Sequence, residues 1–311
     1  MRVLVTGGAG FIGGHTAAGL VRLGHQVTVL DNLSTGYREN VPAGCVLVEG
    51  DVRDHALVGR CVQGQDAVVH LAAFLSVPDS FSRATECFEV NVHGTLNVVE
   101  AVAAGGKGRV VFASSSAVYA EAPDVPKAET MCPEPASPYA VSKLEGEHLL
   151  EWYHTRRGVE YVAFRYFNVY GPRQSADSDY AAVIPKFIER SLQDETLTIY
   201  GDGRQTRDFV YVADVVEANA LAALGSGSGV YNVGTGTAIT ILSLAEMIIE
   251  MSGSKSSYDF APRPPGDIQS STADIKRISA DIGWEPNRTL SQRLRDTIQW
   301  RRKQMNGGRH D

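Results

Sequence analysis

This 311-residue chain predicts an α/β protein built on a doubly wound parallel sheet, and three observations carry that prediction. Short apolar runs alternate with helical patterns through its first half, a glycine-rich turn follows the first run, and an acid ends the second. Residues 1–6, MRVLVT, form the first strand, too short for a signal peptide or a membrane span. The turn GGAGFIGG, Gly7 to Gly14, opens an apolar-periodic helix that runs to about residue 23. Its spacing is GxxGxxG: Gly7 permits the tight turn, Gly10 lets backbone approach a pyrophosphate, and Gly13 lets helix pack on sheet. The amides of the helix N-terminus then face phosphate. After a turn at Gly24-His25, a second strand at 26–30 ends at Asp31. A carboxylate there can accept both ribose hydroxyls and would repel a 2′-phosphate, which favours NAD over NADP.

Further strands are expected at 45–49, 66–71, 109–113 and 159–164, with helices near 84–104 and 138–157. In a doubly wound sheet ligands gather at the carboxyl ends of strands, so Gly50-Asp51-Val52, Leu71-Ala72-Ala73 and Ser114–Ser116 are candidate ligand contacts. Beyond about Phe167 the pattern loosens. A helix near 180–192, strands near 197–200 and 208–212, and helices near 213–224, 240–252 and 289–303 are expected. Residues 225–229 read as a flexible turn, and the charged end 301–311 reads as a fraying terminus.

The stretch SPYAVSK, Ser137 to Lys143, places a phenol and an ammonium four residues apart, one above the other on a helix. Ser137 suits the N-cap and Pro138 the first helical position, which sets Tyr139 and Lys143 in the opening turns. A tyrosine with its ordinary pKa near 10 is a poor base at neutral pH. A lysine charge held about 6 Å away would favour the phenolate by roughly 3 kcal/mol at an effective dielectric near 20. On that expectation Tyr139 becomes a usable proton shuttle.

Composition narrows the class. With 43% apolar and 21% charged residues, the chain can bury a substantial core. A formal net charge of −7 gives no electrostatic case for nucleic acid or an anionic membrane surface. An anionic nucleotide substrate would therefore need local arginines. The four cysteines, Cys45, Cys61, Cys87 and Cys132, lack CxxC spacing and read as free thiols of a reducing, cytoplasmic compartment. The histidines form no HxxxH or His/Cys cluster, so no metal site is expected. His70 reads as a packed residue.

Across almost the whole chain the motifs TGGAGFIGG, LDNLSTG, EGDVRD, HLAA, NVHGT, ASSSAVYA, SPYAVSKLEGE, RYFNVYGPRQ, GDGRQTRDFVYVADV, YNVGTG and PRPPGD resemble the extended short-chain dehydrogenase/reductases. Within them the match is to the nucleotide-sugar epimerases and dehydratases, most closely the UDP-glucose (UDP-galactose) 4-epimerases. The resemblance implies an NAD-binding Rossmann domain over 1–168, with some later segments crossing back to it, and a smaller nucleotide-sugar-binding α/β domain over 169–311. It implies that Tyr139 is the catalytic base and that Lys143 binds the nicotinamide ribose and lowers the tyrosine pKa. Ser115, or Ser116 if the serine run shifts the register, would bridge the base to the sugar 4-hydroxyl. Cofactor contacts would come from Gly7, Gly10, Phe11, Ile12, Asp31, Asn32, Asp51, Val52, Leu71, Ala72 and Ala73, with Phe167 near the nicotinamide.

For the substrate, the resemblance implies that Asn168 contacts the sugar diphosphate, that Arg207 pairs with pyrophosphate and that Asp267 holds the nucleotide ribose. A salt bridge from Arg207 to Asp208 is the competing reading of that arginine. Many relatives carry arginine three residues before the aspartate of the PGD motif. Here Pro264 stands there, and Arg263, one place earlier, is the candidate second phosphate contact. At the position where relatives restrict the pocket to simple hexoses with a tyrosine, this chain has Ser271, preceded by Ser270. N-acetylhexosamines would then also fit. Dehydratases and decarboxylases of the group place acids where this chain has Ser116 and Ala117, which disfavours both, and Asp31 disfavours an NADPH-dependent reductase. A non-enzymatic NAD sensor is disfavoured by the intact Tyr139, Lys143 and Ser115. The resemblance also implies a homodimer through the helices near 84–104 and 138–157.

Overall fold

The computed structural model describes residues 1–106, 108–119, 126–176, 182–263, 268–287 and 289–307. Its first half runs β1 (Arg2–Thr6), α1 (Phe11–Arg22), β2 (Gln26–Asp31), β3 (Val46–Glu49), α2 (His55–Val62), β4 (Ala67–His70), α3 (Val77–Ser82), α4 (Ala84–Phe88), α5 (Gly94–Ala104), β5 (Arg109–Ser115), α6 (Pro138–Arg157) and β6 (Glu160–Tyr166). A π-helical turn, Glu89–His93, joins α4 to α5, so the expected helix over 84–104 is continuous but locally widened. The second half runs β7 (Asn168–Tyr170), α7 (Val183–Leu192), β8 (Leu197–Tyr200), β9 (Thr206–Tyr211), α8 (Val212–Ala223), β10 (Gly229–Val233), β11 (Ala238–Thr240), α9 (Ile241–Ser252), β12 (Tyr258–Ala261), β13 (Ser270–Ser271), α10 (Lys276–Ile282) and α11 (Leu290–Gly307).

Among the described residues the main sheet has seven strands in the order β10-β6-β5-β4-β1-β2-β3, all parallel. Both faces are covered, and that is why strands such as Val3-Leu4-Val5 are apolar at every position. Val3 and Val5 pack with Ala17 and Leu20 of α1 and Val215 of α8, while Leu4 packs with Val58 of α2 and Val98 of α5. A separate core of Ile184, Phe187, Leu197, Phe209, Leu244 and Leu294 fills the second half. There β9 lies between β11 and β13, and β7 also pairs with β9.

Two features depart from the expectations. The turn at 225–229 leads directly into β10, which adds an outer parallel strand beside β6. The tail does not fray from residue 301, because α11 continues to Gly307. Arg301 meets Glu189 at 2.8 Å and Arg302 donates to the Ser252 carbonyl at 2.7 Å, so two charged side chains dock the helix. Residues 308–311 lie outside the described residues.

Candidate active site

Ser137 caps α6 as its sequence demands: its Oγ accepts the Ala140 amide at 3.1 Å, and Pro138 occupies the first turn. Tyr139 is half-buried and Lys143 is 3% exposed. The ammonium lies 5.8 Å from the Tyr139 ring centre and 5.2 Å from that of Phe112, and it donates to the Ala113 carbonyl at 2.9 Å. Across the gap stands the end of β5. Ser115 stands beside the Tyr139 phenol and favours its charged form, and its Oγ accepts the Ala117 amide at 3.1 Å. Ser116 belongs to the 3₁₀ turn that follows β5, Ser116–Tyr119. The third serine, Ser114, faces Glu147 of α6.

The expected depression of the tyrosine pKa is not what this site shows. Burial pushes the Tyr139 phenol up, and the neighbouring Ser115 hydroxyl offsets part of that rise. Lys143 is itself driven down to about 8 by burial. Desolvation penalises a phenolate and an ammonium alike, and here it outweighs the attraction expected from spacing alone. His70 is packed, as expected. It lies between Thr6 at 2.7 Å and Thr95 at 3.1 Å, and burial pushes it down to about 3, so it is neutral.

The glycine turn forms a cradle that side chains would fill. Gly7 has φ +69°, and a Cβ there would stand 2.6 Å from the Ala72 amide nitrogen. A Cβ on Gly13 would strike the Gly7 carbonyl. Helix α1 starts after Gly10 with no side-chain cap, which leaves the Phe11 and Ile12 amides for an anion. Leu71 and Ala72 close the other side, their amides bonded to the Thr6 carbonyl and hydroxyl. Ala73 follows them beyond β4, half-buried. Asp31 is 8% exposed and accepts the Ala9 amide at 2.9 Å and the Leu33 amide at 2.8 Å, one on each oxygen. Each oxygen therefore keeps acceptor capacity for a ribose hydroxyl. Asn32 donates to Asp51 at 2.9 Å, and Arg53 grips the same carboxylate and holds it well below the usual carboxylate range. Val52 is buried against Gly94. The open glycine cradle and the spare Asp31 acceptors fit a dinucleotide.

On the opposite side, Phe167 is buried, with its amide on the Val233 carbonyl at 2.9 Å. Asn168 opens β7 and donates to the Asp208 carbonyl at 3.1 Å. Arg207 on β9 is the register partner of Ser271 on β13, so three of the expected substrate contacts share one small sheet. The Asp208 carboxylate is not turned to Arg207. It is fully buried and accepts from the Thr235 amide and hydroxyl and from the Gly236 and Ala273 amides. Strand alternation sends the neighbouring arginine to the other face. Arg263 lies beyond β12, its stem within 3.8 Å of where a Gly201 side chain would begin, and is exposed. Asp267 and Pro264 lie outside the described residues.

A family model described as the NAD dependent epimerase/dehydratase family matches residues 3–234. The chain belongs to this family. It is similar to the UDP-glucose 4-epimerase of Thermus thermophilus, solved in complex with NAD, at 42% identity and TM-score 0.91 over 97% of this chain and 99% of that one. It is similar also to the UDP-N-acetylglucosamine 4-epimerase of Methanobrevibacter ruminantium, solved with UDP-N-acetylmuramic acid, at 40% identity and TM-score 0.94 over 98% and 99%. A third relative is the UDP-N-acetyl-alpha-D-glucosaminuronate decarboxylase of Bacillus cytotoxicus, 36% identical over 317 residues, 97% of this chain and 98% of that one.

As a member of the NAD-dependent epimerase/dehydratase family the protein is an enzyme whose cofactor is NAD, similar to UDP-glucose 4-epimerases. Its helices, among the described residues, include none long and apolar enough to cross a membrane. Several buried charges escaped the sequence reading, Glu147, Arg165 and Asp208 among them. Glu147 stands four residues after Lys143 and extends the Tyr139–Lys143 stripe by one helical turn, a signal present in the spacing. Asp208 gave no such signal, because its partners lie more than 25 residues away.

Proposed function

We propose that the protein inverts the C4 configuration of a nucleotide sugar through a transient 4-keto sugar, with UDP-glucose and UDP-galactose as its first substrates. The observation that carries this reading is the meeting of Tyr139 with Ser115 at the end of β5 and with the buried Lys143, 5.8 Å from its ring centre. Gly7, Gly10, Phe11, Ile12, Asp31 and the Leu71–Ala73 segment would hold NAD, with Asn32, Asp51 and Val52 beside its adenosine end, Lys143 at its nicotinamide ribose and Phe167 near the nicotinamide. Bound NAD supplies a hydride acceptor that later gives the hydride back, and a positive charge that favours phenolate. Tyr139 takes the proton of the 4-hydroxyl through or beside Ser115, and returns it when the hydride comes back to the opposite face. Asn168, Arg207 and Asp267 anchor the nucleotide, Arg263 adds a phosphate contact, and a loosely held hexose is free to turn.

Ser116 and Ala117 carry no ionisable proton donor, which favours epimerisation over 4,6-dehydration or decarboxylation. The small, buried Ser271 beside Arg207 supports a second reading, in which UDP-N-acetylhexosamines are also accepted. The protein is proposed to act in the cytoplasm, which its four free thiols support. It is also proposed to act as a homodimer through the faces of residues 84–104 and 138–157, where Trp152 is 54% exposed.

The test is to incubate the purified protein with UDP-galactose and with UDP-N-acetylgalactosamine and to separate the product sugars. Formation of UDP-glucose is expected, and failure to epimerise either substrate removes the reading. Turnover of the plain hexose alone removes only the N-acetyl extension.

A further inference from the structure

Behind the Ser115–Tyr139 pair lies a buried ion pair that the mechanism above does not use. Glu147 and Arg165 are only 4% and 5% exposed along their side chains. Glu147 Oε1 accepts from Arg165 Nε at 2.9 Å, and Oε2 accepts from Nη2 at 2.6 Å, a two-pronged fork. The same Oε1 accepts the Ser114 hydroxyl at 2.5 Å. The Arg165 guanidinium also lies 4.8 Å over the Tyr119 ring, whose hydroxyl donates to Asn232 at 2.7 Å.

Removing both charges from water costs several kcal/mol per ion, so such a pair is weak evidence for stability and calls for an account of what it specifies. Its placement gives that account. Glu147 lies one helical turn beyond Lys143 and two beyond Tyr139 on α6. Ser114 immediately precedes Ser115 on β5. Arg165 is the β-register partner of Ser114 and lies two residues before Phe167. The three segments that carry the proton shuttle, its serine and the expected nicotinamide neighbour thus meet on one carboxylate.

We propose that Glu147 and Arg165 are positioning residues for proton transfer, which clamp Ser114 to α6 and so set the approach of Ser115 to Tyr139. The inference rests on the proposed epimerase reading. A single E147Q change would leave a buried guanidinium uncompensated and endanger folding, so the test uses two milder variants. S114A removes one hydrogen bond and keeps the ion pair. The double variant E147M/R165M removes both charges and keeps the volume. Each is compared with wild type for melting temperature, retained NAD, kcat and KM toward UDP-galactose, and the pH dependence of kcat.

Misplacement of a reacting group by about 1 Å costs on the order of 100-fold. The double variant is therefore expected to lose about 10- to 100-fold in kcat and S114A about 10-fold, with KM and NAD content within about twofold of wild type. Because the neighbouring Ser115 hydroxyl pulls the phenol down, moving it away should also shift the pH profile to higher pH. A folded double variant with unchanged kcat and pH profile overturns the inference, as does a loss that appears only as weaker substrate or NAD binding. If wild type itself epimerises no UDP-hexose, the underlying reading falls instead, and that outcome is distinguishable because it precedes any mutation.

Discussion

The groups expected to act on the dinucleotide side of the cleft sit in short motifs, each shaped by local geometry, whereas those expected on the sugar side meet only through strands brought together around a buried acid. The glycine turn and α1 occupy residues 7–22, and Tyr139 and Lys143 are one helical turn apart behind a serine cap. Asn168, Arg207 and Ser271 share a sheet because β7 and β13 both pair with β9, and the Asp208 carboxylate ties the 235–236 loop and Ala273 to that strand. Removing the Tyr139 hydroxyl on the first side should therefore change the chemistry with little effect on the fold. Substitutions on the second should trade stability against binding.

Y139F makes the sharpest separation. In the proposed reaction its hydroxyl carries the proton, and general acid–base groups contribute about 10²- to 10⁴-fold. A loss of that size in kcat is expected, with NAD content and melting temperature near wild type. Retained turnover would break the assignment of the proton shuttle, and with it the distinction between an enzyme and an NAD-sensing protein.

R207M and D208N, neighbours on β9, sharpen the contrast on the other side. Charge-assisted hydrogen bonds are worth about 1.5–3 kcal/mol, so R207M should raise KM for the nucleotide sugar about 10- to 100-fold, with a smaller loss of stability than D208N. D208N turns an amide NH₂ toward groups that already donate, and the resulting unpaired donors should cost about 2–3 kcal/mol in urea unfolding. An Arg207–Asp208 salt bridge would predict the reverse, with R207M destabilising as much as D208N.

The same contrast explains what the sequence could say. The helix cap at Ser137, the glycine cradle and the acid at Asp31 depend on neighbours within a few residues, and local chemistry makes those visible. Which serine meets Tyr139 depends on how β5 is placed beside β6 and α6, and a run of three serines marks that register only weakly, so Ser116 stays open beside Ser115 in the sequence. Strand β10 is short, starts at a glycine and gains its place only by pairing with β6, so its sequence reads as the end of a turn. The two-residue β13 exists only against β9. The direction of the Tyr139 shift was misjudged because spacing reveals a neighbouring charge but not the burial that accompanies it.

That misjudged direction leads to the smallest effect, and one that reverses the usual sign for a site mutation. Lys143 falls to about 8 in the folded protein from an ordinary value of 10.5. Between those pH values the unfolded chain binds the extra proton, so stability rises with pH there, and the penalty of burying the ammonium is fully present below pH 8. At pH 7 that penalty is about 3 kcal/mol. K143M removes it, at a cost of about 1 kcal/mol for leaving the Ala113 carbonyl without its donor. The NAD-free variant should therefore be more stable than wild type by about 1–2 kcal/mol in urea at pH 7. The advantage should shrink as the pH climbs from 8 toward 10.5. A variant that is less stable at pH 7, or whose advantage ignores pH, would show that the ammonium is compensated in place, and the dinucleotide side would then store no strain for its cofactor to relieve.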